Sequence, residues 1–302
     1  MHISTLLRGC MVASLTAVSS FSFAQKVVTT EKTGQLETLI TEAEREKTPS
    51  LRVVGPINGE DIQVIRTMCG RDYSGYESEG TTRTLDLSEA LIKQEAGKNY
   101  LNEQLGFYNR FYAPSADNEI GIKMFYRCEP LREIILPKTT TVIAGQAFDN
   151  CTSLTKCTFF AGLTTIRQYA FRNTKLTNVE LPSTLTAMEN KVFDGCKELT
   201  TVMFTSKAVP TLPDELFSNC PKLKTVIVPQ ESLEAYKAAL KLPEGVTIEG
   251  REGITAVRSA AASATVVEVA RFDLQGRRLA QPQKGVNVVR YSNGTTAKVV
   301  VR

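Results

Sequence analysis

The chain has 302 residues, of which 42% are hydrophobic and 23% charged, with a formal net charge of +4. This suits one large or two modest folded domains and excludes wholesale disorder. The single histidine is His2. A product that has lost its first residues therefore has no histidine, which excludes every mechanism that uses one as base, acid or ligand.

Residues 1–24 read as a secretory signal peptide. Arg8 closes a short basic start, "MVASLTAVSSFSFA" supplies an apolar and small-residue run, and Ser22-Phe23-Ala24 puts small residues at both cleavage positions. The expected cut lies after Ala24. Cys10 is not read as a lipid anchor, because Arg8 stands where a small residue is needed and the apolar run follows the cysteine. No later stretch reaches the roughly 20 apolar residues of a membrane span.

Further along, "EAEREK" at 42–47 is a charge run and reads as a solvated helix or loop, and "YSGYESEG" at 73–80 as a loop before a strand. The segment 100–112 is crowded with Tyr100, Phe107, Tyr108, Phe111 and Tyr112. Such rings either cover the edge of a core or form a platform for a sugar or a partner. Covering a core is the favoured reading.

From residue 124 the chain repeats. "MFYRCEPLREIILP", "AFDNCTSLTKCTFF", "AFRNTKLTNVELP", "VFDGCKELTTVMF" and "LFSNCPKLKTVIVP" fit one template. Their markers Phe125, Phe148, Phe171, Phe193 and Phe217 are separated by 23, 23, 22 and 24 residues. Leu131, Leu154, Leu199 and Leu223 stand six residues past their Phe; a deletion in the third copy puts Leu176 at five. With each Leu as the first position, the fourth and sixth are also apolar, as in Ile134-Leu136, Val179-Leu181 and Val226-Val228, which is the alternation of a half-buried strand. A second apolar pair follows, such as Val142-Ile143, Leu163-Ile166 and Leu185-Met188. A period near 23 with this leucine pattern predicts an α/β leucine-rich-repeat fold: a right-handed solenoid with a concave parallel β-sheet. Cys128, Cys151, Cys196 and Cys220 then form a ladder of buried thiols, with Thr174 in the shortened copy. Disulfides between rungs stay geometrically conceivable, since neighbouring strands lie about 4.8 Å apart. Cys151 and Cys157 are too widely spaced along a strand for a zinc half-site, so no metal is expected.

The repeats resemble the BspA-like leucine-rich-repeat proteins of bacterial cell surfaces, whose units run "L..I.LP....I...AF..C", over about residues 119–228. That resemblance implies an N-terminal capping region at 25–118, including "GQLETLI", "LRVVGPINGEDIQVIRTM" and "TRTLDLSEALI". Leu51-Val53 and Leu85-Leu87 would be first strands of the same sheet, with a short helix over 61–68 between them. "VPQESLEAYKAALKLP" is similar to the closing helix of such arrays, started by Pro229 and Ser232. The repeats with this helix fill 119–250, and a small-residue linker follows at 251–264.

Residues 265–302 change texture, with alternating Val and Thr and turn signals at "LQGRR" and "SNGTT". They predict a small all-β unit of three or four strands. "DLQGRRL", "KGVNVV" and "KVVVR" resemble the C-terminal sorting domains of type IX secretion substrates, although Asn287 stands where a Tyr is expected. From residue 254 onward eight basic residues face only Glu268 and Asp273. That excess reads as a solvated face, and no nucleic-acid partner is expected of an exported chain.

No phosphate loop, CxxC pair or nucleophile elbow occurs, so the chain is expected to be non-enzymatic and without cofactors. The strand positions that point away from the core define the expected partner-binding face: Arg52, Asp86, Glu133, Ile135, Lys156, Thr158, Asn178, Glu180, Thr201, Met203, Thr225 and Ile227. Exposed Ile and Met among scattered charge suggest a moderately apolar contact patch. The resemblance implies adhesion to an extracellular or host matrix protein. The alternative is a glycan-binding surface module built on the aromatics of 100–112.

Overall fold

The computed structural model describes residues 25–105, 108–254, 268–273, 277–279, 281, 283–291 and 296–301. The signal-peptide segment and residues 255–264 of the expected linker lie outside the described residues, and Arg251 belongs to a strand. The remainder forms a stack of coils, each contributing strands to parallel sheets. On one side Lys26–Thr29, Ser50–Ile57, Thr84–Ile92, Glu133–Ile135 and Lys156–Thr158 pair in that order; Asn178–Leu181, Thr201–Phe204, Thr225–Pro229 and Thr247–Arg251 pair in turn beyond them. On a second side Glu119–Ile120, Val142–Ile143, Thr165–Ile166 and Ala187–Met188 form another parallel ladder. This is the leucine-rich-repeat solenoid that the 23-residue period predicts.

The first side is divided between Lys156–Thr158 and Asn178–Leu181. The division falls at the coil that the deletion shortened. Elsewhere the chain entering a strand bonds one coil back, as Lys156 N does to Arg132 O at 3.2 Å and Thr201 N to Thr177 O at 3.3 Å. With one residue fewer between Phe171 and Leu176, that coil reaches its strand out of step with the one before.

The core runs along the stack as columns of like residues. Phe125, Phe148, Phe171, Phe193 and Phe217 are buried and stack face to face, with centroids 5.3, 5.2, 5.8 and 6.0 Å apart and planes within 17°. Phe159 meets Phe171 edge-on at 5.8 Å. Leu131, Leu154, Leu176, Leu199 and Leu223 form a parallel buried column.

Phe125, Phe148, Phe171 and Phe193 each sit between two left-handed residues, and Phe217 is followed by one. Two before the Phe stand Lys123, Gln146, Tyr169 and Lys191; two after it stand Arg127, Asn150, Asn173 and Asn219, all at φ between 55° and 60°. Gly195 takes the corresponding place after Phe193 at φ 69°. These paired reversals turn the chain inward so that the ring points down the axis. They also account for the Asn or Gly in "FDNC", "FRNT", "FDGC" and "FSNC", since these residues enter this region at least cost.

The thiol ladder is present, and it is directional. Cys151 Sγ donates to Phe125 O at 2.9 Å, Cys196 Sγ to Phe171 O at 3.1 Å and Cys220 Sγ to Phe193 O at 3.0 Å, each reaching the preceding coil. Thr174 donates within its own coil to Phe171 O at 2.9 Å. All six described cysteines are free thiols. Burial pushes the Cys196 thiol up to about 11 and the Cys220 thiol up to about 12. One buried ion pair also spans two coils: Arg172 grips Asp149 through Nε at 2.9 Å and Nη2 at 2.6 Å, and packs on the Tyr169 ring at 4.5 Å.

The N-terminal strands align with the repeat strands in one sheet, as the resemblance implied. The helix between them runs Gly59–Met68, two residues earlier than expected, because Asn58 caps it: its side chain accepts from Glu60 N at 3.0 Å and Asp61 N at 3.3 Å. Asp61 returns a bond from Asn58 N and holds Gly34 N at 2.6 Å and Leu36 N at 2.8 Å, which ties the preceding segment down. "EAEREK" is a solvated helix, Glu42–Lys47, with no buried residue. At the far end a 3-10 turn leads into helix Leu233–Ala239, whose Tyr236 is buried against Phe204 and donates to Ser206 O at 3.0 Å. The helix does not end the sheet. Thr247–Arg251 adds a further parallel strand that "TIEGR", half exposed and holding a glycine, does not signal.

Glu268–Phe272, Arg278–Leu279, Gly285–Tyr291 and Thr296–Val301 form the four-stranded antiparallel sheet of the tail. Asn287 has a structural use there. Its buried amide accepts from Arg271 Nη1 and Gln283 N, both at 3.1 Å, and donates to Gln283 O at 2.8 Å.

Phe171→Ala removes the ring with neighbours on both sides and an edge contact besides; we expect a loss of about 3–5 kcal/mol in denaturant unfolding. Gly195→Ala keeps the column but places a methyl 2.3 Å from Asn173 Oδ1 in a left-handed conformation. Its expected cost is at least about 1–2 kcal/mol by the same measurement.

Candidate binding surface

In a parallel ladder, residues in register share a face. Arg52, Asp86, Ile135 and Thr158 stand in one row, and Glu133 and Lys156 in another beside it. Beyond the division, Asn178, Thr201 and Thr225 form one row, and Glu180, Met203 and Ile227 the other. The alternate residues, Ile134, Val179, Val202 and Val226, face the core and are buried. The sequence pattern therefore brought all twelve residues onto outward strand positions.

Their exposure differs from the expected apolar patch. Glu133, Lys156, Asn178 and Glu180 are exposed, and Arg52, Ile135, Thr158, Thr201, Met203 and Thr225 are half-buried. Two expectations need correction. Ile227 is only 7% accessible, shielded by its in-register neighbours Met203 and Glu249. Asp86 is also 7% accessible, with Arg52 Nε 3.7 Å away and Ser88 N donating to it at 2.9 Å. Arg52 also reaches Glu89 at 2.9 Å, and Lys156 lies 3.7 Å from Glu133. The face is thus chiefly polar, with its charges largely matched within it.

Large exposed apolar side chains occur elsewhere. Tyr108 is 71% accessible, Tyr76 61% and Phe111 55%. Leu101–Leu105 and Tyr108–Tyr112 form an antiparallel hairpin that the aromatic crowding did not announce. Strand alternation divides its rings. Tyr100 and Tyr112 are buried, Tyr100 bonding Ile122 O at 2.6 Å. Tyr108 shares a face with Tyr112, whereas Phe111 points to the other face. Phe107 lies outside the described residues. The segment therefore does both jobs: some rings seal the core, and others stand free without forming one flat platform.

A charged knot holds the hairpin. Lys123 Nζ bonds both Glu103 oxygens at 2.7 and 2.8 Å, Tyr112 donates to Glu103 at 2.9 Å, and Lys123 sits over the rings of Tyr112 and Tyr126 at 5.4 and 5.1 Å. Burial pushes the Glu103 carboxyl up, but the hydrogen bonds from Lys123 and Tyr112 outweigh it and hold the group below its ordinary value. Between this knot and the 71–77 loop opens a cleft of about 520 Å³, lined by Tyr76, Leu101, Glu103, Gln104, Tyr126 and Arg127. Sequence reasoning missed it, because Tyr76 lay in a polar loop and Tyr126 inside a repeat.

With the ladders and the repeat corner in view, the comparison with known families is direct. Residues 118–241 match the family model of the BspA type leucine rich repeat region in six copies, one more than the five spaced phenylalanines show. Among solved structures, the chain is similar to a leucine-rich-repeat protein of T. pallidum at 24% identity and a TM-score of 0.38, covering 57% of this chain and 75% of that one. It is also similar to a leucine-rich cell surface protein of Faecalibacterium prausnitzii (15%, 0.33, covering 68% and 61%) and to the pneumococcal vaccine antigen PcpA (12%, 0.39, covering 68% and 69%). No curated protein matches the chain. The fold assignment rests on the BspA-type repeats and the parallel ladders themselves.

Glu103→Ala strips Lys123 and Tyr112 of their shared acceptor. We expect it to cost about 1–3 kcal/mol and to speed amide exchange across 101–112. Because the folded carboxyl is held low, the wild-type tether is complete at neutral pH and weakens as pH falls through the carboxylate range. Amide exchange measured against pH checks the sign.

Proposed function

We propose that this chain is an exported, non-enzymatic binding protein of the bacterial surface that engages an extracellular or host matrix protein through the outward face of its long parallel sheet. The observation that carries this reading is the set of in-register rows. Arg52, Glu133, Ile135, Lys156, Thr158, Asn178, Glu180, Thr201, Met203 and Thr225 line up over successive strands without serving the core. A repeated, rigid and mainly polar surface suits an extended partner. Asp86 and Ile227 support this face from beneath. The leader at 1–24 supports export, with cleavage near Ala24, and the antiparallel tail is the candidate sorting element. Among the described residues no helix is long and apolar enough to cross a membrane.

A second reading, glycan binding, is favoured by the cleft beside the hairpin, where Tyr76 and Tyr126 offer ring faces next to Glu103, Gln104 and Arg127. Tyr112, sealed and hydrogen-bonded, supports that site from behind.

Lys156→Glu combined with Glu180→Lys places a second carboxylate beside Glu133 and reverses the exposed charge across the sheet. Binding to a panel of immobilised matrix proteins should weaken by about ten-fold or more with the fold unchanged by circular dichroism. Unaltered binding to every protein that the wild type recognises would sink the sheet-face reading. Tyr76→Ala with Tyr126→Ala, tested on a glycan array, decides the second reading: sugar binding that survives both removes the cleft.

A further inference from the structure

The first thiol of the ladder differs from the rest. Cys151, Cys196 and Cys220 each donate to a carbonyl one coil back. Below Cys128 there is no earlier phenylalanine coil. Its neighbour there is Cys69, the residue that ends helix Gly59–Met68, brought opposite it by the contacts on either side. The backbones around them are locked together on every side. Arg66 Nη1 donates to Met124 O at 2.8 Å and to Lys123 O at 3.1 Å. Arg71 Nε donates to Arg127 O at 2.8 Å, and its Nη2 meets Glu129 at 2.7 Å. Gly70 lies so close to Pro130 that a Cβ there would come within 2.8 Å of its ring. Both cysteines are fully buried.

Arg66 is equally buried, and its Nε and Nη2 have no hydrogen-bond partner. The contacts of Arg66, Arg71 and Gly70 hold Cys69 and Cys128 on facing segments. We propose that Cys69 and Cys128 are a cross-linking site, oxidised in the exported protein to a disulfide that ties the N-terminal cap to the first coil.

The chemistry is thiol–disulfide exchange with an exchange-active disulfide as oxidant. Cys128 gives up its proton to solvent, and its thiolate attacks the oxidant disulfide and expels one thiolate. The Cys69 thiol then gives up its own proton, its thiolate attacks the mixed disulfide and expels the second, and the two expelled thiolates take up the two released protons. Two protein thiols and one oxidant disulfide become one protein disulfide and two small thiols. Because neither sulfur is accessible in the folded stack, the bond forms before the cap closes and is afterwards shielded from reductants. Export is needed only to supply the oxidant, so the inference stands or falls separately from any partner of the sheet.

The test is a peptide map. Protein exported to the periplasm of an expression host is purified without reductant, unfolded in urea with iodoacetamide and digested with trypsin unreduced. The expected product joins peptide 67–71 to peptide 128–132, with the other four of the six described cysteines alkylated. Cys151→Ala keeps that cross-linked peptide, and Cys69→Ala abolishes it. Reduction in denaturant followed by refolding lowers the thermal midpoint of the wild type but leaves that of Cys69→Ala unchanged. Alkylation of all six cysteines, or a disulfide joining any other pair, overturns the assignment.

Discussion

One winding of this chain has no interior of its own. A coil of some 23 residues presents Phe, Leu and Ile or Val on one flank and can hide them only against the same flank of the next coil. The phenylalanine column is the plainest expression of that dependence. Each ring has its neighbours 5.2 to 6.0 Å away, nearly parallel.

The other regularities follow from keeping that corner in place. Left-handed residues before and after the first four marker Phe reverse the chain twice within five positions, which fixes where the ring points. The thiol three residues on has one coil-to-coil task, capping the carbonyl that the reversal exposes below it. A cysteine suits that place because it is small and apolar yet still a donor. The ends of the stack need different solutions. At the start a capped helix and Arg66 close the core, and at the finish Tyr236 lies over Phe204.

A surface built this way inherits its geometry from the core. Because every strand is held in register from beneath, the outward residues form rows without contributing to stability themselves. Chemistry can vary along the rows while their spacing stays fixed. Here the charges on the rows are largely paired with one another, so the surface reads as even and polar. The freer aromatic rings sit on an inserted hairpin, outside the repeat, where the coil geometry does not dictate what they face.

The period of 23, the leucine and phenylalanine columns, the core-facing alternation and the closing helix were all legible in the sequence, because a repeated unit states the same physical demand several times. The Asn or Gly after each Phe was visible too, but its left-handed conformation was not, since a residue's preference does not reveal which reversal uses it. What lay beyond the sequence was set by contacts distant along the chain. Ile227 disappears between Met203 and Glu249, the aromatic segment divides its rings by strand alternation, "TIEGR" becomes a strand only because Thr225–Pro229 offers it an edge, and Cys69 meets Cys128 only because a cap must close the first coil. The sequence by itself determined that the chain stacks, because apolar spacing is written locally; tertiary structure alone decided which outward side chains remain available, because exposure depends on neighbours that the linear order keeps apart.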